Sequence, residues 1–168
     1  ATGNPLSINI DAKAKPEDKR PHYSWMSLDP TPDGPYHTFI LKNVEEICMR
    51  YKNLDGFWFD IYHIKHSSFT KYSKARMLGE GINLNDTAAV EKSYALALKS
   101  HMKELRSLVH SYHPEATVFF NQATHLTKKS IFEEALYEIN THAELEDLPT
   151  TWGGYDKLPL EAKFHLGK

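Results

Sequence analysis

Three acidic residues and one amide stand at the ends of apolar stretches, where they could act together in chemistry. Asp60 ends the first stretch, Asn121 the second, and Glu144 and Glu146 the third. Glycoside hydrolases use two carboxyl groups that face each other across a cleft. One acts as nucleophile or base, and the other protonates the leaving oxygen. Asn121 could hydrogen-bond a sugar hydroxyl or orient a carboxylate, or it could cap a turn. These residue types favour cleavage of a glycosidic bond.

The stretch that ends in Asp60 has the pattern of a buried strand. Side chains alternate between the two faces of a strand, so Trp58 and Asp60 share one face, while Phe57, Phe59 and Ile61 share the other. A strand that is apolar on both faces is typical of a parallel sheet covered by helices. An ionised Asp at its end must be exposed, paired or functional, and a helix N-cap or an ion pair is the structural alternative.

The remaining elements alternate helix with strand along the chain. After Asp33-Gly34-Pro35, apolar residues recur at helical spacing as far as Tyr51, and a second amphipathic helix runs from the capping cluster at Asn85 to about Tyr112. We predict strands over 54–60, 116–121 and 139–145, with short helices within 67–78, near 130–137 and from 160. Residues 1–35 are predicted to be mostly loop, with possible short strands at 6–10 and 23–26.

This order predicts an α/β protein with a parallel sheet and right-handed crossovers. Residues 36–168 would form βα units of a TIM-type (β/α)8 barrel, with 1–168 a single partial catalytic domain. A barrel needs about 250 residues, so about half of it would be present and the remainder would come from the full-length chain. An open nucleotide-binding sheet is the weaker alternative, because no glycine-rich phosphate loop follows any predicted strand.

Composition narrows the classes of partner. Twenty Lys and Arg residues oppose 22 Asp and Glu residues, for a net charge of −2. We therefore expect neither a nucleic-acid partner nor a membrane partner, and the charge balance favours a small or neutral ligand such as a carbohydrate. No cofactor is expected. Cys48 falls on the apolar face of the first predicted helix, where we interpret it as a core residue.

Aromatic and polar side chains near the predicted strand ends could shape a sugar pocket, although loop or core packing is the alternative for each. These candidate substrate-binding residues are Trp58, Tyr62, His63, Asn121, His142, Trp152 and Tyr155.

Three segments together resemble glycoside hydrolases with an alpha-L-fucosidase-like catalytic barrel: DGFWFDIYH, ATVFFNQ and HAELEDLPTTWGGYDKLP. The resemblance covers most of the chain from about Trp25. It implies a retaining, exo-acting glycosidase in which Asp60 is the nucleophile and Glu146 the acid/base, with Glu144 as the substitute if the strand register differs by two. Ile61 stands where such fucosidases usually have Gly, and their upstream His-His motif is not found. The resemblance thus implies the reaction class rather than the sugar.

Two other functions fit parts of the pattern. Asp60, His63, His66 and His142 could form the metal site of a barrel hydrolase, since zinc uses imidazole and carboxylate ligands, but the local spacing is only His-x-x-His in an apparent loop. A carbohydrate-binding or degenerate barrel module without catalysis is the second alternative. Metal content separates the first from a glycosidase, and sugar binding without turnover identifies the second.

Overall fold

The computed structural model describes residues 7–8, 27–32, 34–60, 62, 69–120, 138–142, 154–156, 159–160 and 162–163. Its strands are β1 (Ser7–Ile8), β2 (Ser27–Leu28), β3 (Gly56–Phe59) and β4 (Thr117–Phe120). Its helices are α1 (Pro35–Arg50), α2 (Lys71–Gly79) and α3 (Thr87–Tyr112). None of the helices in these ranges has the length and apolar run that crossing a lipid bilayer requires.

Both long helices begin and end where local chemistry predicts. Pro35 occupies the first position of α1, where its missing N–H costs no hydrogen bond. Asp86 caps α3 by accepting a hydrogen bond from the Ala89 N–H at 3.1 Å. The α3 helix ends at Tyr112, two residues before Pro114. The predicted helices after Pro35 and from Asn85 to about Tyr112 are therefore confirmed.

The short α2 helix is attached to the loop after β2 through polar groups. Thr70 caps α2 by accepting hydrogen bonds from the Tyr72 and Ser73 N–H groups. The Thr70 hydroxyl donates in turn to the carboxylate of Asp29, which is buried and also accepts from the Thr31 N–H at 3.0 Å. A buried carboxylate requires such donors, so Asp29 holds this loop against the start of α2.

Strands β3 and β4 form a parallel pair, with Gly56 opposite Thr117 and Phe59 opposite Phe120. Helices α2 and α3 lie between them in the chain, as the predicted βαβ order requires. Gly56 permits the close approach of the two strands, because a Cβ atom there would lie 2.5 Å from the Thr117 carbonyl oxygen. The strands predicted over 54–60 and 116–121 are confirmed, with slightly shorter limits.

One face of this parallel pair packs into the hydrophobic core. Val44 and Cys48 of α1 join Phe59, Phe120 and the apolar stripe of α3 in a single cluster of buried side chains. That stripe consists of Tyr94, Leu98, Met102, Leu105 and Val109. The sequence-based interpretation of Cys48 as a core residue is confirmed, since it is buried and has no disulfide partner. Burial of this apolar surface is the main force that holds the helices to the sheet.

The third predicted strand is wrong over its described part. Glu138 and Ile139 end a helical turn, and Thr141 and His142 form a bend. The side chains of Asn140 and Thr141 accept hydrogen bonds from the Phe120 and Val118 N–H groups, each at 2.9 Å, and the Thr141 backbone N–H donates to the Val118 carbonyl oxygen at 2.8 Å. These two side chains and the one backbone hydrogen bond satisfy groups at the outer edge of β4, as a neighbouring strand would. Residues 143–145 of the predicted strand lie outside the described ranges.

The remaining predictions are tested only in part. Strand β1 falls within the stretch predicted at 6–10, whereas β2 begins after the stretch predicted at 23–26, which is not described. Helical backbone at 159–160 and 162–163 agrees with a helix from about 160, and the helix predicted near 130–137 is not described. The described strands form two sheets of two strands each, which is consistent with a partial α/β fold, and a closed barrel is not shown.

Candidate active site

Asp60 follows β3 directly and is exposed. It therefore lies at the carboxyl end of a parallel strand, which is the edge where ligands bind in sheets of this kind. Trp58, two residues earlier, is also exposed, whereas the intervening Phe59 is buried. The alternation predicted for this strand is thus observed, but one of its faces is open in the described part of the chain, contrary to the expectation of burial on both.

Trp58 begins a row of rings on the open face. Its indole stacks on Phe119 of β4, with ring centroids 5.5 Å apart and planes 22° from parallel. The His142 imidazole packs edge-on against Phe119 with ring centroids 4.9 Å apart, and its Nδ1 lies 3.1 Å from the Thr141 hydroxyl. Two predicted substrate-binding residues are thus joined through Phe119, which sequence reasoning had not selected. We call Trp58, Phe119 and His142 the aromatic row.

Tyr62, also predicted to bind substrate, lies in the hydrophobic core instead. Its side chain is buried and packs edge-on against Phe59 and Phe120. Its hydroxyl lies 3.1 Å from that of Tyr36, the second residue of α1. Burial raises the pKa of the Tyr62 phenol above its usual value, and the neighbouring Tyr36 adds to the shift, so the group is neutral. Aromatic packing thus directs the ring towards the helices, and its role as a ligand contact stays a prediction.

Of the remaining predicted site residues, the structure describes only Tyr155. Tyr155 is exposed beside Gly154, whose positive φ of 79° suits a residue without a side chain. The two candidate acid/base residues and three of the seven candidate pocket residues lie outside the described ranges; these are His63, Asn121, Glu144, Glu146 and Trp152. The same holds for His66 of the alternative metal site, so Asp60 and His142 are the only members of that set with a described position.

A second polar cluster, which sequence reasoning missed, lies between α1 and α3. The His37 Nε2 atom is 2.7 Å from the Glu104 Oε2 atom, and His101 packs beside His37 with ring centroids 4.8 Å apart. These three residues line a cavity of about 310 Å³ together with Arg76 and Ser93. The available signal was His101 itself, because it falls between Leu98 and Leu105 on the apolar stripe of α3, where a histidine is unusual.

His101 has an unusual electrostatic environment. It is buried, and neither ring nitrogen has a hydrogen-bond partner among the described residues. Burial, with a smaller contribution from His37, lowers the pKa of His101 to about 3, so the ring is neutral at physiological pH. Leaving a buried polar group unsatisfied costs about 1–3 kcal/mol. The two ring nitrogens of His101 are therefore available to bind a ligand.

The described residues form a partial α/β fold in which an exposed acid lies at the carboxyl end of a parallel strand. A solved structure, alpha-L-fucosidase isoenzyme 2 from Paenibacillus thiaminolyticus, is similar to the chain with a TM-score of 0.73 and 22% sequence identity. The match covers 95% of this chain and 23% of that chain. No protein family and no curated protein matches. The chain has a fucosidase-like fold, and it spans less than a quarter of the similar structure.

Proposed function

We propose that this chain carries the nucleophile-bearing part of a retaining, exo-acting glycoside hydrolase of the alpha-L-fucosidase type. The observation that carries the proposal is the position of Asp60, exposed at the carboxyl end of β3 and two residues beyond the exposed Trp58. In such a reaction a carboxylate attacks the anomeric carbon while an acid protonates the departing oxygen. The similar structure is named as a fucosidase, which supports this class of substrate.

The proposed mechanism assigns the two chemical roles to separate strand ends. Asp60 forms a covalent glycosyl intermediate as the leaving group departs with a proton from Glu146. Glu146 then removes a proton from the water that attacks the anomeric carbon and releases Asp60, as a retaining mechanism requires. Glu144 takes the acid/base role if its side chain, rather than that of Glu146, faces the sugar.

The aromatic row would supply the surface on which the sugar rests. Apolar C–H groups of a sugar ring pack on aromatic faces, and the exposed indole of Trp58 is held in place by stacking on Phe119. His142, at the other end of the row, can hydrogen-bond a hydroxyl. His63, Asn121, Trp152 and Tyr155 are proposed to complete the pocket. This reaction requires no cofactor.

Replacement of Asp60 by asparagine tests the proposal, with Asp55→Asn as the matched control. Asp55 is an exposed acid that precedes β3, at the end of the strand opposite Asp60. We expect Asp60→Asn to lower kcat on an aryl alpha-L-fucoside by about a thousandfold or more, and Asp55→Asn to leave it within about twofold. Equal activity of wild type and Asp60→Asn would exclude the nucleophile role. Sugar binding by the wild type without turnover would instead identify a binding module.

The acid/base role is tested with Glu146→Ala and Glu144→Ala. Removal of the acid should affect substrates with poor leaving groups most, and azide should restore turnover by attacking the covalent intermediate in place of activated water. We expect this rescue for Glu146→Ala alone. Rescue confined to Glu144→Ala would transfer the role to Glu144, and the absence of any rescue would remove both residues from it.

A further inference from the structure

The cluster of His37, His101 and Glu104 combines three side chains that bind metals. His37 lies in the first turn of α1, and His101 and Glu104 are three residues apart on α3, so both face the same side of that helix. One nitrogen or oxygen atom from each residue lies within 4.8 Å of the others. The three side chains therefore converge from two helices on a small volume.

His101 provides the second, independent observation. Its side chain is 1% exposed, and both of its ring nitrogens are without a hydrogen-bond partner in the described part of the chain. A neutral imidazole has one N–H donor and one nitrogen lone pair. The rings of Tyr36, His37 and Tyr62 surround it and fix its position. A buried, oriented lone pair without a donor is ready to bind a cation.

We propose that His37, His101 and Glu104 bind a divalent transition-metal ion, and that this ion is zinc. Two imidazoles and one carboxylate form a ligand set that zinc uses when a fourth position stays open. At metal–ligand distances of about 2.0–2.2 Å, tetrahedral ligand atoms lie about 3.4 Å apart. The 2.7 Å pair formed by His37 and Glu104 would separate slightly on binding, and the half-exposed Glu104 side chain has the freedom to do so.

The cavity beside the cluster provides space for a fourth ligand. Its volume of about 310 Å³ accommodates water or a small anion. Arg76 lines the same cavity, and its charge is balanced by Glu80 at 2.7 Å, which reduces its repulsion of a cation. The Arg76 Nε atom has no partner within the described ranges and could donate to an anion bound on the metal.

This metal site does not depend on the proposed glycosidase. His101 belongs to α3, which packs on the Phe59 and Phe120 side of the sheet, whereas Trp58 is exposed on the other side. It is also distinct from the set of Asp60, His63, His66 and His142 considered from sequence. Loss of the metal site would leave the case for Asp60 unaffected.

The experiment is a zinc titration of chelator-treated protein in competition with a chromophoric chelator, followed by cobalt substitution. We expect the wild type to bind one equivalent of zinc, and bound cobalt to show visible absorption typical of tetrahedral coordination. The variants Glu104→Gln and His37→Gln should each weaken zinc binding at least tenfold. The controls are Glu91→Gln, an exposed acid on α3, and His110→Gln, a histidine on α3 outside the cluster; both should stay within twofold of wild type.

His101→Leu is the most direct variant, and circular dichroism establishes whether it folds. A folded His101→Leu protein should also lose at least tenfold in zinc affinity; if it does not fold, Glu104→Gln and His37→Gln decide the question. Absence of saturable zinc binding to the wild type would overturn the proposal. So would binding that is unchanged in both Glu104→Gln and His37→Gln, because the zinc would then be held by other histidines.

Discussion

The two faces of the β3–β4 pair carry similar aromatic side chains in opposite environments. On the helix face, Phe59 and Phe120 stack with centroids 4.7 Å apart and are buried together with side chains of α1 and α3. On the open face, Trp58 and Phe119 stack with centroids 5.5 Å apart, and Trp58 is 62% exposed. Aromatic residues therefore occur both in the core and on the open face. Strand alternation distinguishes the two pairs, because it places the first among the core side chains and the second on a surface beside Asp60.

The strongest test of this difference replaces the two adjacent phenylalanines of β4. Phe120→Ala should lower the free energy of unfolding by about 3–5 kcal/mol, because it leaves a cavity in the core. Phe119→Ala, on the open face, should cost about 1 kcal/mol or less, mainly from lost ring contacts. Urea unfolding monitored by circular dichroism measures both. Equal losses for the two variants would show that the open face is also part of the folding core.

The edge of β4 gives the next largest expected effect. Thr141→Val preserves the shape of the side chain but removes the oxygen that accepts from the Val118 N–H. We expect a loss of about 1–3 kcal/mol in unfolding free energy, because that N–H is left without its partner. Thr38→Val, which removes an exposed hydroxyl on α1, is the control and should change stability by about 0.5 kcal/mol or less. A neutral Thr141→Val would show that this side chain does not replace a strand.

A smaller effect is expected at the buried pair of hydroxyl groups of Tyr36 and Tyr62. Tyr62→Phe removes the oxygen that lies beside the Tyr36 hydroxyl, and the loss should be about 1 kcal/mol of unfolding free energy. Tyr155→Phe, at an exposed tyrosine, should leave stability unchanged within about 0.5 kcal/mol. A large rise in KM for Tyr62→Phe without loss of stability would contradict the assignment of Tyr62 to the core.

The smallest stability effect is expected for the most exposed aromatic of the sheet. Trp58→Ala should change unfolding free energy by less than about 1 kcal/mol, since Trp58 is exposed and the ring contact that it makes within the described ranges is with Phe119. It should raise KM for an aryl fucoside about three- to tenfold, which corresponds to roughly 0.7–1.4 kcal/mol of binding. Tyr51→Ala, at an exposed tyrosine just after α1, should alter neither quantity. An unchanged KM for Trp58→Ala would remove the aromatic row from the sugar site.

The elements that sequence predicts well are those determined by local signals. The limits of α1 and α3 follow from Pro35, Asp86 and the apolar stripe, and the position of Asp60 follows from alternation along one strand. The strand predicted from Ile139 is wrong over its described part, because Asn140 and Thr141 contact β4 mainly through their side chains, with one backbone hydrogen bond from the Thr141 N–H to the Val118 carbonyl. A sequence pattern that alternates every two residues does not distinguish these contacts from the backbone hydrogen bonds between two paired strands.

The cluster at His37 could not be predicted from local patterns, because it depends on how two helices pack. His37 and Glu104 are 67 residues apart in the chain and meet only when α1 lies against α3. His101 alone offered a local signal, as a polar residue on an apolar stripe. Contacts of this kind arise from tertiary packing rather than from residue spacing.

The most direct test of the central claim is covalent trapping of the nucleophile. A 2-fluoro-substituted fucosyl fluoride should react with the protein and be released slowly, so that the sugar remains attached to one carboxylate. Digestion and mass spectrometry should then locate one added sugar on the peptide that contains Asp60, with no label in Asp60→Asn. A label on a different residue, or hydrolysis of fucosides with no covalent adduct at Asp60, would contradict the account.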